Sequence, residues 1–212
     1  EQATILFSRN LSIMHVFRGV PTLAKDPTAL TIGNFDGVHL GHQAMIIRLN
    51  EAATQLNLIS CVIIFEPHPR EFFVKSNAPV RLTSLREKLE LMEELNIEHV
   101  HVCHFNAAFA SIRAEDFIVR VLKQGFAARW VLVGDDFRFG TNRRGDCMML
   151  RSLSNKNGFK VEEMKSYTLG GLRVSSTAIR EALSIGDLEA AKYFLGRPYS
   201  ISGRVIEGDK LG

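Results

Sequence analysis

Leu58–Phe65 reads Leu-Ile-Ser-Cys-Val-Ile-Ile-Phe, an almost unbroken apolar run of strand length. A strand with one wet face alternates apolar with polar residues, so a run without alternation belongs in a parallel sheet covered on both sides. Leu30-Thr31-Ile32 ends another such run, and His99–Phe105, Arg129–Val133 and Phe159–Met164 read as further strands. Helical stretches lie between them. Met45, Leu49, Ala52 and Leu56 recur at helical steps from a start near Gly41, and Ser84-Leu85-Arg86-Glu87 forms a capping box ahead of Leu89, Met92 and Leu95. Ala114–Lys123, Cys147–Lys156, Ser176–Leu183 and Asp187–Phe194 complete the helices. This alternation predicts an α/β fold: a Rossmann-like open parallel sheet with helices on both faces, its ligands beyond the carboxyl ends of the strands.

With 212 residues, 46% of them hydrophobic, the chain is long enough for one principal core. Residues 14–195 are expected to form it, with 1–13 as an N-terminal extension and Met14 as a possible native start. After Gly196-Arg197-Pro198 the stretch Tyr199–Glu207 alternates, and 196–212 read as the opening of a β-rich second module. A net charge of +3 is too small to require nucleic acid and suits an anionic small substrate. Cys61, Cys103 and Cys147 form no C-x-x-C pair, so neither a disulfide framework nor a zinc knuckle is supported and a cytoplasmic setting is expected. No apolar stretch approaches the ~20 residues of a membrane span, so no membrane partner is expected. Oligomeric state is not legible.

Gly33-Asn34-Phe35-Asp36-Gly37 is a glycine-hinged turn directly after a strand, and His39-Leu40-Gly41-His42 follows at a helix start. Free N–H groups and the positive dipole end of that helix would meet an anion there, with His39 and His42 as added donors. Two histidines so placed also arise as capping residues, or as half of a metal site. Ser175-Ser176-Thr177-Ala178-Ile179-Arg180 puts three hydroxyls ahead of an arginine one helical turn on, which serves either anion binding or plain capping. His68 lies between two prolines, either rigid and ligand-facing or part of a turn. Phe137 and Phe139 flank Arg138 and suit either a ring-binding loop or the core. His99, His101 and His104 lack Cys or carboxylate partners in metal-ligand spacing and read as satisfied or surface histidines.

Together the histidine and Ser-Ser-Thr motifs resemble the H-x-G-H nucleotidyltransferase superfamily, while G-x-x-x-x-G-K-[ST] and G-x-G-x-x-G are both missing. With Phe65-Glu66-Pro67-His68-Pro69, Val133-Gly134-Asp135-Asp136-Phe137-Arg138-Phe139-Gly140 and Leu195-Gly196-Arg197-Pro198-Tyr199 in the same order, the chain resembles the bacterial FAD synthetases, bifunctional riboflavin kinase/FMN adenylyltransferases. The resemblance implies transfer of AMP from ATP to FMN, with FAD and pyrophosphate as products. It assigns catalysis to His39, His42, Ser176, Thr177 and Arg180, and ATP binding to Gly33, Asn34, Phe35, Asp36, Gly41 and Ser175. His68, Pro69, Asp135, Asp136, Phe137 and Phe139 would form the flavin and adenine pockets. Mg²⁺ would arrive on ATP, without fixed protein ligands. The second module would be the truncated start of the kinase's β-barrel. The family's Pro-Thr-Ala-Asn segment is absent, so these residues are expected to make FAD from FMN but not FMN from riboflavin. A superfamily member with another phosphate acceptor is the enzymatic alternative. A nucleotide- or RNA-binding module is the non-enzymatic one, prompted by Arg138, Arg143 and Arg144.

Overall fold

The computed structural model describes residues 13–24, 26–74 and 78–204. In chain order the elements are β1 (His15–Arg18), β2 (Thr28–Ile32), α1 (Leu40–Leu56), β3 (Ile59–Glu66), α2 (Pro69–Phe73), α3 (Leu85–Glu94), β4 (His99–His104) and α4 (Ala107–Ala110). Then come α5 (Ala114–Asp116), β5 (Ala128–Gly134), α6 (Cys147–Asn157), β6 (Lys160–Met164), a hairpin of β7 (Thr168–Leu169) and β8 (Leu172–Arg173), α7 (Ser176–Ser184) and α8 (Leu188–Leu195). The main sheet has six strands in the order β1-β4-β3-β2-β5-β6, and each paired neighbour is parallel. This is the expected Rossmann-like architecture.

Every residue of β2 is buried, because the sheet is covered on both faces. Leu30, Cys61, Ile63, Val131 and Val133 meet Phe117, Ile118, Leu122 and Leu150 on one side. Val62, Ile64, Val100 and Leu132 meet Ile46, Leu49 and Met92 on the other. The hydroxyl of Thr31 is tolerated at this depth because it donates to the Leu132 carbonyl at 2.9 Å. Helices α7 and α8 form a separate apolar cluster in which Leu82, Ile179, Phe194 and Leu195 pack together and Leu40 joins from α1.

Three expectations are corrected. The exposed strand β1 was not foreseen, since four residues reading His-Val-Phe-Arg give no period. The helix expected over Ala114–Lys123 begins as α5 and widens into a π-helical stretch, Phe117–Gly125, closed by a bond from Phe126 N to Val121 O. Strand β5, expected over Arg129–Val133, extends one residue at each end, to Ala128 and to Gly134, which pairs with Met164. In the region expected to open a β-rich module, Tyr199–Arg204 carries no strand, and 205–212 lie outside the described residues, as do 1–12 of the expected extension. No helix among the described residues is long and apolar enough to cross a membrane.

Candidate active site

The chain enters the sheet centre at β2, places β3 on one side, and later places β5 on the other, so a crevice opens at the carboxyl ends of β2 and β5. It forms a cavity of about 330 Å³. The four segments singled out from sequence, after β2, after β3, after β5 and ahead of α7, all reach its wall.

His39 is the N-cap of α1. Its Nδ1 accepts from the His42 backbone N–H at 3.3 Å, so the ring proton resides on Nε2. The two imidazoles stack with centroids 3.6 Å apart and planes 15° from parallel, and Phe35 lies against His42 at 4.9 Å. Burial pushes the His39 pKa down to about 4, and burial together with the nearby His39 and Lys88 holds His42 well below the usual imidazole range. Near neutral pH both rings are uncharged. Nδ1 of His42 is buried and has no partner among the described residues. The capping alternative for these histidines is therefore true of His39, yet both rings still line the cavity.

The turn ahead of α1 depends on Gly37, which holds φ +85; a Cβ there would also stand 2.9 Å from Leu82 Cδ1. Asn34, Phe35, Asp36 and Gly41 reach the cavity; Gly33 does not, and its N–H instead bonds Ile63 O at 3.1 Å. The Asp36 carboxylate is turned into the protein, where it accepts from Leu82 N at 3.0 Å, from Thr83 N at 3.2 Å and from the Arg180 guanidinium. Asp36 nonetheless stands on the cavity wall. The network joins the histidine loop to the C-terminal motif.

That motif divides its labour. Ser175 caps α7, accepting from Ala178 N, and Ser176 Oγ donates to Asp36 O at 2.8 Å. Thr177 lines the cavity, and the N–H groups of Ser176 and Thr177 fall in the first turn of α7, where a helix has no partners of its own to offer. Two helix N-termini, of α1 and α7, therefore open into one cavity. Arg180 is anchored by Nε on Val80 O at 2.7 Å and by Nη2 on Asp36, while Nη1 makes no bond among the described residues.

His68 lines the cavity and caps α2 with its Nδ1, and Pro69 supplies the first residue of that helix without lining the cavity. Asp135 accepts from Ser166 N at 3.0 Å and from its hydroxyl, and Asp136 pairs with Arg173 at 2.6 Å. Both sit on the rim. Phe137 and Phe139 do not line this cavity: they stack at 5.5 Å, Phe139 is buried in the core against Phe117, and Phe137 is half-buried against the same cluster. The resemblance placed both rings in the flavin and adenine pockets; the structure buries Phe139 in the core and leaves Phe137 half-buried against it. Sequence reading also missed Met45, Ser166 and Tyr167 on the cavity wall. Ser166 and Tyr167 follow directly on β6, so the rule that ligands gather at strand carboxyl ends would have flagged them. His101 bonds Gly19 O and His104 bonds Glu66 O, satisfied as expected.

A family model described as FAD synthetase matches residues 22–178. The chain belongs to the FAD synthetase family. A bifunctional riboflavin kinase/FMN adenylyltransferase of Haemophilus influenzae is 48% identical over 184 residues, covering 87% of this chain and 60% of the relative. The Escherichia coli K12 protein of that name is 43% identical over 202 residues, covering 94% and 64%, and the Pseudomonas fluorescens one is 44% identical, covering 93% and 64%. The chain thus spans less than two thirds of these relatives. A Streptococcus pneumoniae structure described as a macrolide-efflux protein superposes with a TM-score of 0.76 at 22% identity, covering 88% of this chain and 63% of that one, which concerns the fold alone.

Proposed function

We propose that this FAD synthetase-family chain transfers the adenylyl group of ATP to FMN, releasing pyrophosphate. The observation that carries the reading is the convergence of two helix N-termini and the stacked, uncharged His39–His42 pair on one cavity at the switch point of the sheet.

FMN carries a phosphate monoester with a second pKa of about 6, so near neutral pH it is mostly a dianion and needs no base to act as nucleophile. One of its oxygens forms a bond to the α-phosphorus of ATP while the bond from that phosphorus to the bridging oxygen of the β-phosphate breaks, and the electron pair leaves with pyrophosphate. The protein must align two anions and offset the charge gathering on the equatorial and leaving oxygens. His39 Nε2–H, His42, the first turn of α1, the Thr177 hydroxyl and the first turn of α7 are the donors for that task. Arg180, fixed on two sides, presents Nη1 to the leaving group. Ser175, Ser176 and Asp36 act by shaping the motif that carries Thr177 and Arg180.

Mg²⁺ enters as part of the ATP complex. The carboxylates nearest the cavity are already engaged, Asp36 by Arg180, Asp135 by Ser166 and Asp136 by Arg173, and no group of three metal-ligating side chains occurs among the described residues. His68 and the Asp135–Asp136 turn remain the candidates for contact with flavin or adenine. The riboflavin kinase activity in the relatives' name is assigned to sequence outside residues 14–195. Three free thiols fit a cytoplasmic setting. Incubation with FMN, ATP and Mg²⁺ tests the proposal: FAD and pyrophosphate should accumulate together, and their absence would refute it.

A further inference from the structure

The histidine loop turns every carbonyl from Asn34 to His39 onto a donor. Asn34 O accepts from Lys88 Nζ at 2.6 Å, Phe35 O from Val38 N, Asp36 O from Ser176 Oγ, Gly37 O from Arg197 Nη2 at 2.8 Å, Val38 O from Gln43 Nε2 and Arg197 Nη1, and His39 O from Gln43 N. A loop that receives a polyanion cannot aim its carbonyl dipoles at it, and here two of the donors that hold them are cations. Lys88 is 6% exposed, Arg197 is half-buried, and neither lines the cavity. Neither makes a hydrogen bond to a carboxylate among the described residues, although Asp36, Glu66 and Glu71 act on Lys88, and Glu94 and Glu87 on Arg197, from a distance.

Arg197 reaches the loop from the junction after α8, and that junction is locked to the start of α1. Gln43 Nε2 bonds Leu195 O at 2.9 Å, and Gly196, at φ +73, leaves room for Leu40 where a Cβ would stand 2.6 Å from Leu40 Cδ2. We infer that Lys88 and Arg197 are positioning residues for adenylyl transfer, a pair of cations that grip the histidine loop from behind and set its affinity for the phosphates. The inference rests on the adenylyltransferase reading above. It ties the phosphate site to the junction that follows α8.

Their charges also act on the two imidazoles. Arg197, with Arg173 and against Asp36, lowers the pKa of His39, which is further faced by the His42 ring; Lys88 does the same for His42. The test uses Lys88→Met and Arg197→Met, with Lys88→Gln and Arg197→Gln keeping a neutral donor, and Arg197→Lys keeping charge. Pyrophosphate binding by calorimetry should weaken at least tenfold in the Met and Gln variants, with KM for ATP rising in step and KM for FMN unchanged. Arg197→Lys should recover to within about threefold.

Gln variants that bind pyrophosphate as tightly as the parent, or a KM for FMN that rises in step with that for ATP, would overturn the inference. Should a Met variant fail to fold, its Gln counterpart carries the test. A parent chain that makes no FAD would sink the adenylyltransferase reading by itself, while the pyrophosphate titrations would still decide the role of the two cations.

Discussion

The carboxylate of Asp36 and the guanidinium of Arg180 form a buried ion pair between residues 144 apart in sequence, with side chains 6% and 20% exposed. It fastens the histidine loop to the helix that carries the Ser-Ser-Thr motif. Asp36→Ala removes one partner and leaves the Leu82 and Thr83 N–H groups without their acceptor, so it should cost about 3–5 kcal/mol of unfolding free energy. Urea unfolding measures this; a loss below about 1 kcal/mol would show that the pair does not hold the two motifs together.

His42→Ala should lower kcat by on the order of 10²-fold, the usual effect of removing one transition-state donor, and leave the KM for FMN nearly unchanged. Steady-state kinetics under saturating ATP decide this. Turnover equal to the parent would remove His42 from catalysis.

His39 has its pKa lowered to about 4 from an ordinary value of 6.5, so the unfolded chain binds its proton more readily than the folded one. The sign follows: the contribution to stability is complete above about pH 6.5 and is lost as the pH falls towards 4. With 1.36 kcal/mol per unit, the loss is of the order of 3 kcal/mol across that window. Unfolding free energies of the parent and His39→Gln should therefore converge or cross between pH 7 and 4.5. A pH-independent difference would show that His39 is not held neutral.

Phe139→Ala should destabilise the fold by about 3–5 kcal/mol, as expected for a large ring lost from a packed core, because Phe139 is 6% exposed and rests on Phe117. The KM for FMN of the folded fraction should stay within twofold of the parent. A stable variant with a large, selective rise in that KM would return Phe139 to the flavin pocket.

Much of the fold was legible because single residues announce it. Ser84 and Glu87 form the capping box they spell, Leu30-Thr31-Ile32 and Val131-Leu132-Val133 are buried on both faces as their lack of alternation requires, and His39 begins α1. The convergence of the four loops followed from the parallel sheet alone. What the sequence could not show was how side chains pair across it. Lys88 and Asn34 are 54 residues apart, and nothing in a helical Leu-Arg-Glu-Lys stretch reveals that one lysine turns inward. Asp36 was placed at the ATP site by the resemblance alone, and no local pattern showed that its carboxylate takes backbone amides and an arginine as partners. Phe139 had equal claims to loop and core until Phe117 was placed against it.

The most direct test of adenylyl transfer follows the phosphorus atoms of ATP. Incubated with FMN, Mg²⁺ and ATP labelled at the α-phosphate, the purified chain should place the label in FAD, one atom per FAD formed, while γ-label appears only in pyrophosphate. Label from the γ-position in a flavin product, or turnover of ATP without any α-label in FAD, would contradict the account.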